Sequence, residues 1–402
     1  MRTIVICDDI SDVRAVDVAG SAARGWMKYA RDRKVSTSVE SIPLADGGPG
    51  FINSLRASLH GDILIRPVTG PLGETTPASI MIRSEKQGKT AYIESAEACG
   101  IHLMPAEATE TRSVYTATSQ GVGELLNTAV DLGATRIIVG IGGTGTNDGG
   151  AGLLAGVGAG KAAKLGQGPR GIEALNISDI DLTQVRRRLA HVDLIAACAT
   201  SAPLLGFHGA SGGYAENKGA SRADAQELER YLSRFGNLTL QALQRSRQSE
   251  SRGRLEIANY EGANAPGSEL KALPGAGSGG GIGYALALLG ARLLPGARVS
   301  AGEIGLAEKV KKSDLIVALA DHLDATTLSE GQVPIAAEIA GQYALPAIVV
   351  ARRVDAGARE LAASGITSAY PLVDLVSTST SPQHVVNQIE ERLYRIARSW
   401  AR

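Results

Sequence analysis

The sequence predicts an α/β fold built as two domains, and both the chain length and the apolar patterning indicate it. At 402 residues the chain exceeds the size at which a single hydrophobic core usually stops growing. Short β-branched runs alternate with helical patterns, which is typical of βα units around a largely parallel sheet. The composition, 44% apolar and 20% charged, is that of a globular protein.

Apolar runs define the expected strands, and helical periodicity defines the segments between them. A change of pattern between residues 62 and 95, where three apolar runs are separated by Gly/Pro turns, predicts antiparallel hairpins. Gly133 is expected to cap the helix that precedes it. The predicted strands are residues 4–7, 39–44, 136–141, 193–197, 315–318 and 347–350, and the predicted helices are residues 16–28, 51–59, 123–132 and 284–289.

The hairpin region indicates where a second domain begins. We therefore predict a Rossmann-like domain with a parallel sheet, formed by residues 1–62 and 288–402. A second α/β domain with a mixed sheet is predicted at residues 63–287, inserted into the first. The basic stretch 245–254 is interpreted as a solvated helix end or loop rather than a phosphate site.

Charge and cysteine content exclude several classes of partner. Lys+Arg and Asp+Glu balance at 41 each, so we expect no nucleic-acid or acidic-membrane partner. The three cysteines, Cys7, Cys99 and Cys198, lack metal-type spacing and predict free thiols in a reducing compartment. The longest apolar segment, residues 284–294, is too short to span a membrane. We expect a cytoplasmic protein.

The strongest local signal is a glycine-rich loop that follows the predicted strand 136–141. Gly142, Gly143 and Gly145 free backbone amides at the carboxyl end of a strand, where an anion is favoured. Asn147 and Asp148 follow, placed to hold a substrate hydroxyl or a metal. A helix N-cap at either residue explains them about as well. The loop lacks the Gly-Lys-Ser/Thr of a P-loop.

Two further glycine-rich loops resemble this one in position. Asp46, Gly47 and Gly48 follow a strand and precede a helix, a suitable place for a general base or a Mg²⁺ ligand, or for an Asp that only caps a turn. Gly279 and Gly280 lie in the cluster that opens the helix 284–289, where flexibility or helix packing is an equal alternative. Three such loops in one chain favour an anionic ligand.

Taken together, the loops resemble motifs of the bacterial glycerate kinase family. Residues 44–50 read Leu-Ala-Asp-Gly-Gly-Pro-Gly, where the family has Glu in place of Pro49. Residues 141–150 read Ile-Gly-Gly-Thr-Gly-Thr-Asn-Asp-Gly-Gly, where the family has Ser and Ala at 144 and 145. Further matches keep the family's order over nearly the whole chain, at residues 68–73, 123–126, 203–206, 218–220, 275–296 and 333–335.

The resemblance implies an activity and an architecture. The activity is ATP-dependent phosphorylation of D-glycerate or a closely related sugar acid, generally giving 2-phosphoglycerate, with ATP and Mg²⁺ as cofactors. The architecture is two α/β domains with the site in the cleft between them, and a homodimer is possible on this view. The implied roles are catalysis by Asp46 and Asp148, substrate binding by Asn147, Gly47, Gly48 and Asp324, phosphate binding by Gly142, Gly143, Gly145, Gly279 and Gly280, and metal binding by Asp46 and Asp8.

Several charged positions of the family are replaced in this chain. An acidic run, residues 8–12, stands where the family has a lysine, and residues 198–204 lack an Asp and an Asn of the family. His322 replaces an arginine within a segment that also loses a glutamate, and Gln332 replaces a second lysine. Phosphoryl transfer depends on such positive charge. The residues available to compensate are Lys218, Arg292 and His322.

These features leave three functions open. The first is an active sugar-acid kinase, which the Asp46 and Asn147-Asp148 loops favour. The second is a catalytically weakened relative that binds a small acid or a nucleotide as a sensor or regulator, which the replaced charges favour. The third, a nicotinamide-dependent oxidoreductase, has weak support, because no dinucleotide fingerprint follows the first strand.

Overall fold

The computed structural model describes residues 1–104, 113–252, 267–372 and 381–401. Its strands are β1 (Arg2–Cys7), β2 (Ser38–Pro43), β3 (Asp62–Thr69), β4 (Thr75–Glu85), β5 (Gly88–Glu94), β6 (Ala134–Ile141), β7 (Asp193–Cys198), β8 (Arg292–Pro295), β9 (Leu315–Leu323), β10 (Ala347–Val354) and β11 (Ser368–Pro371).

Helices separate most of these strands, as the alternation of patterns predicts. They are α1 (Ala15–Arg33), α2 (Phe51–Arg56), α3 (Ser95–Cys99), α4 (Ser113–Thr116), α5 (Gln120–Asp131), α6 (Ala151–Gly156), α7 (Ala162–Leu165), α8 (Gly168–Gly171), α9 (Thr183–Leu189), α10 (Ala210–Tyr214), α11 (Arg222–Arg252), α12 (Gly267–Leu270), α13 (Ser278–Leu288), α14 (Gly296–Glu303), α15 (Leu306–Val310), α16 (Gln332–Gln342), α17 (Ala358–Ala363) and α18 (Pro382–Trp400).

The chain divides into two compact units. The first comprises Met1–Asp46, Asn53–His60 and Ala297–Arg402, and the second comprises Gly47–Ile52 and Gly61–Gly296. The second unit contains the whole segment 63–287 and extends further, because β8 pairs with β7 and completes its sheet.

A five-stranded parallel sheet of order β11-β10-β9-β1-β2 forms the centre of the first unit. Its inner strands are covered on both faces, so β1 is an almost uninterrupted apolar run in which Val5 and Ile6 are fully buried. Helices α1 and α18 pack together, and the buried Trp26 of α1 donates its indole N–H to Thr37 Oγ1 at 3.1 Å. This is the predicted Rossmann-like parallel sheet.

The second unit holds a mixed six-stranded sheet of order β3-β4-β5-β6-β7-β8. Strands β3, β4 and β5 pair antiparallel, which confirms the hairpins predicted from the Gly/Pro turns. Strands β5 to β8 pair parallel, so β6 and β7 end at the same edge. The α/β class with one parallel and one mixed sheet is therefore confirmed.

The largest difference from the predicted helix boundaries is at α13. Helix α13 begins at Ser278 rather than at residue 284, and it contains glycines with positive φ, including 64° at Gly279 and 69° at Gly280. Helix α11 continues to Arg252, while the rest of the basic stretch 245–254 lies outside the described residues. Periodicity did not indicate the first turn of α13, because its glycines bring no apolar side chain.

The described residues contain neither a membrane-spanning helix nor a disulfide bond. None of their helices combines the length and the apolar character that crossing a membrane requires. All three cysteines lie in this part of the chain, and each is a buried free thiol.

The close contact between α1 and α18 leaves no room for a side chain at Gly25. A Cβ at this position would lie 2.2 Å from the carbonyl oxygen of Glu390, a backbone atom that cannot rotate away. We expect Gly25→Ala to lower the free energy of unfolding by about 1–3 kcal/mol in a urea titration.

Gly20, in the same helix, provides the matched control for that substitution. A Cβ there would meet only the flexible Arg24 side chain, at 3.3 Å. Gly20→Ala is expected to be neutral or to stabilise by up to about 1 kcal/mol, because alanine has the higher helix propensity. Equal effects of the two substitutions would contradict the contact.

Candidate active site

Glycine loops at the edge of the second unit's sheet pack against each other. The first loop (residues 142–150) follows β6, and the second loop (residues 47–50) lies against it. A Cβ on Gly142 would lie 2.7 Å from the Cα of Gly48, and Gly143 has φ of 61°. Glycine is therefore required here by close approach of backbones, whatever the loops bind.

The third loop (residues 275–281) closes on the first from another side. The amide of Gly149 donates to the carbonyl of Gly280 at 2.9 Å, and a Cβ on Gly280 would lie 2.0 Å from Thr146 O. The structure thus brings together the three glycine-rich segments that the sequence singled out. Their glycines are explained by packing, so glycine content alone does not identify a phosphate cradle.

Two of the glycine amides expected to bind phosphate donate within the fold. Gly145 N–H donates to Cys99 O at 2.9 Å, and Gly280 N–H donates to Gly277 O at 3.1 Å. An anion at either amide would have to share the donor with a carbonyl.

Asp148 is fully buried and joins the N-termini of two helices. Its carboxylate accepts hydrogen bonds from Gly150 N–H at 2.9 Å and Gly152 N–H at 3.0 Å, at the start of α6. It also accepts from the backbone N–H of Ser119 at 2.9 Å and from the Ser119 hydroxyl, at the start of α5. Burial raises the pKa of Asp148, although these donors lower it. Asp148 therefore caps helix N-termini, which is the alternative given above to holding a substrate hydroxyl or a metal.

Asn147 differs from its neighbour because part of its polar group has no partner. The side chain is 2% exposed, and Nδ2 donates to Ser211 Oγ at 2.9 Å. The Oδ1 atom is buried with no hydrogen bond, as is the hydroxyl of Thr144. Buried polar atoms are normally paired, so an unpaired one indicates a position where a ligand or water would bind.

Lys218 lies against the same loop. Its ammonium group donates to Thr146 O at 2.6 Å, and only 9% of the residue is exposed. Burial lowers the pKa of Lys218 to about 8, against smaller opposing effects of Cys99 and Asp148. Of the three cations named from the sequence, Lys218 is the buried one, whereas Arg292 pairs with Asp193 at 2.7 Å.

In the first unit, Asp8 and Asp46 follow the parallel strands β1 and β2. Asp8 is half-buried, and desolvation together with the negative charge of Asp46 raises its pKa to about 8. The residue before Asp46 is fixed, because Ser300 Oγ donates to Ala45 O at 2.7 Å. The structure therefore brings the two predicted metal ligands close enough for one carboxyl to act on the other.

Gln332 shares a backbone acceptor with Asp8. Its Nε2 donates to Leu319 O, the same carbonyl that accepts from Asp8 N–H at 3.2 Å. Its Oε1 is buried and has no hydrogen-bond partner. The neutral amide thus lies where the resemblance places a lysine, and it leaves the acidic pair without that cation. Among the described residues, no group of three or more His, Cys, Asp or Glu side chains could hold a metal.

Asp324 forms a local turn at the end of β9. Its carboxylate accepts from Thr327 N–H at 2.9 Å, and this bond is the main cause that lowers its pKa. His322 contacts Asp324 at 3.4 Å and Asp355 at 2.8 Å.

Sequence reasoning missed two charged groups. Glu94 is buried, and its carboxylate accepts from Gly50 N–H at 2.8 Å and Ile52 N–H at 3.1 Å, which fixes the second glycine loop. Arg352 pairs with Asp321 through two bonds of 2.8 and 3.0 Å at the ends of β10 and β9. The one available signal was their position, since each lies at or near the end of an apolar strand.

Comparison with known proteins identifies the family. The model of the glycerate kinase family matches residues 4–402. The glycerate kinase of Halalkalibacterium halodurans is 34% identical over 99% of this chain and 98% of its own length. The glycerate 2-kinase of Escherichia coli K12 is 33% identical over 94% of this chain and 92% of its own length.

A solved structure agrees with the sequence matches. The crystal structure of a candidate glycerate kinase 2 from Salmonella typhimurium LT2 superposes with a TM-score of 0.72 at 28% identity, covering 99% of this chain and 98% of that one. The fold and the relatives over nearly the whole chain agree, and the chain belongs to the glycerate kinase family.

Proposed function

We propose that this protein is an ATP-dependent kinase that phosphorylates D-glycerate or a closely related sugar acid. The observation that carries the proposal is the pair of carboxyl groups, Asp8 and Asp46, after neighbouring parallel strands of a chain in this family. Ligands of open α/β sheets bind at the carboxyl ends of the strands. Transfer to the 2-hydroxyl, giving 2-phosphoglycerate, is the finer proposal and is supported by the name of the Escherichia coli relative.

The acidic pair fits a magnesium ion by its chemistry. Mg²⁺ is commonly bound by one or two carboxylates together with waters and substrate phosphates, so two aspartates suffice. Burial and, to a smaller extent, repulsion by Asp46 raise the pKa of Asp8 to about 8, and a cation would neutralise the repulsion. When bound, the ion would offset charge on the transferred phosphoryl group.

The remaining residues take different roles in this proposal. Asn147 is proposed to bind a substrate hydroxyl, because its Oδ1 lacks a donor. Asp148 is proposed to hold the loop in shape rather than to touch substrate, because its carboxylate is occupied by backbone and hydroxyl donors. The amides of Gly142, Gly143 and Gly279 are the better candidates for phosphate oxygens than those of Gly145 and Gly280.

A catalytically weakened ligand-binding protein is the second candidate, and one observation favours it. The neutral Gln332 stands where the resemblance places a lysine, and it donates to the same carbonyl as Asp8 N–H. At the same edge of the sheet, Arg352 is held by Asp321. Loss of one cation near a transferred phosphoryl group commonly costs a few kcal/mol of transition-state stabilisation.

An ADP-release assay distinguishes the two functions. Purified protein with Mg²⁺-ATP is expected to release ADP in proportion to D-glycerate, above the background of ATP hydrolysis alone. NMR of the product would identify the phosphorylated hydroxyl. Binding of glycerate by calorimetry without turnover would instead support the weakened relative.

The proposed roles of Asp46 and Asp148 predict that substitution of Asp46 lowers activity, whereas substitution of Asp148 lowers stability. Asp46→Asn is expected to lower kcat at least about 100-fold while leaving the free energy of unfolding within about 1 kcal/mol. Asp148→Asn is expected to lower the free energy of unfolding by about 2–4 kcal/mol, because an amide cannot accept all of the buried donors. Urea titration and the ADP-release assay on both variants measure this. A fully stable but inactive Asp148→Asn would contradict the capping role.

The raised pKa of Asp8 predicts how stability depends on pH. Without metal, the folded protein keeps a proton on Asp8 that the unfolded chain releases near pH 3.8, so stability falls as pH rises from about 4 to about 8. Asp8→Asn is expected to remove this fall, and Mg²⁺ at pH 8 is expected to raise the melting temperature of the wild type only. Thermal unfolding from pH 5 to pH 9, with EDTA or Mg²⁺, measures both. An equal response of Asp8→Asn to Mg²⁺ would place the ion elsewhere.

A further inference from the structure

One segment of the second unit holds two consecutive residues of the first glycine loop. Ser211, in α10, accepts a hydrogen bond from Asn147 Nδ2 at 2.9 Å. Lys218, at the end of the short turn Glu216–Lys218, donates to Thr146 O at 2.6 Å. Both bonds link residues far apart in sequence, so they fix the Thr146–Asn147 peptide against α10 and the turn that follows it.

The lysine in this arrangement is energetically costly. It is 9% exposed, and burial lowers its pKa by more than the opposing negative charge of Asp148 raises it. Removing an ammonium group from water destabilises a fold unless its surroundings compensate in full. Packing alone would be served as well by an apolar side chain of the same length, so the ammonium group calls for another reason.

The reason for an ammonium group at this position lies in how Asn147 is held. The hydrogen bond to Ser211 fixes one end of its amide, and the bond from Lys218 fixes the carbonyl that precedes it in the chain. The other end of the amide, Oδ1, is buried without a partner. An unpaired buried acceptor is unfavourable, and a hydroxyl donor would remove that cost on binding.

We propose that Lys218, acting with Ser211, is a positioning residue that holds the Thr146–Asn147 peptide so that Asn147 Oδ1 accepts a hydrogen bond from the hydroxyl of the acid substrate. This rests on the proposed kinase function and names the hydroxyl as the group recognised. Lys218 itself does not touch the substrate on this proposal. Its effect on turnover passes through Asn147.

A double-mutant cycle tests whether Lys218 acts through Asn147. Lys218→Met is expected to lower kcat/KM for D-glycerate at least about tenfold and to leave the KM for ATP within about twofold. In an Asn147→Ala background the same substitution is expected to change kcat/KM by less than about twofold, because the group that Lys218 positions is gone. Lys218→Arg, which keeps a cationic donor, is expected to restore part of the loss.

Arg186 gives the matched control. It is also a buried cation of the second unit, and its Nη1 donates to the carbonyl of Leu288 at 2.6 Å. Arg186→Met is expected to lower stability without selectively lowering kcat/KM for the acid. Additive losses for Lys218→Met and Asn147→Ala, or an equal loss in Arg186→Met, would overturn the proposal.

Hydrogen exchange separates failure of this proposal from failure of the kinase function. In Lys218→Met, the peptide covering residues 144–150 is expected to exchange faster than in the wild type and in Arg186→Met. An inactive wild type with this faster exchange would overturn the kinase function and retain the anchoring of the loop. Unchanged exchange in Lys218→Met would overturn the positioning role, whatever the activity.

Discussion

The candidate site of the second unit depends on the hydrogen bonds that the buried carboxylate of Asp148 accepts. This carboxylate accepts hydrogen bonds from the starts of two helices, α5 and α6, and so fixes the direction of the loop between β6 and α6. The Ser119 hydroxyl completes the junction, since it donates to Asp148 and accepts from Leu153 N–H at 2.9 Å. With these helix ends joined, Asn147 has little freedom to move.

The glycines around this junction serve packing first. Three loops meet at distances that exclude a Cβ, so backbone amides and carbonyls of one loop satisfy those of another. A ligand that binds here meets a surface already closed by internal hydrogen bonds. In the proposed function, recognition falls to the few polar atoms left unpaired, of which Asn147 Oδ1 and Thr144 Oγ1 belong to the first glycine loop.

The first unit presents the opposite electrostatic situation. Asp8 and Asp46 repel each other, and the neighbouring Gln332 offers no positive charge. The nearby cation Arg352 is engaged by Asp321, which also accepts from Ser11 N–H at 3.0 Å. A proton is one counter-charge for the pair, and the divalent ion of the proposed function would be another.

The amino-acid sequence alone predicted the α/β class, the parallel strands, the hairpins of β3 to β5 and the family, because these follow from local periodicity and from motifs kept in order. It also selected the loops that meet in the second unit. The contacts of Asp148 and Lys218 could not be predicted in this way. Their partners lie up to 29 and 72 residues away, and spacing along a chain does not encode which donor a carboxylate meets or whether a charge is removed from water. Burial and hydrogen-bond geometry therefore separate the residues that hold the loop, Asp148 and Lys218, from Asn147, whose Oδ1 has no partner within the fold.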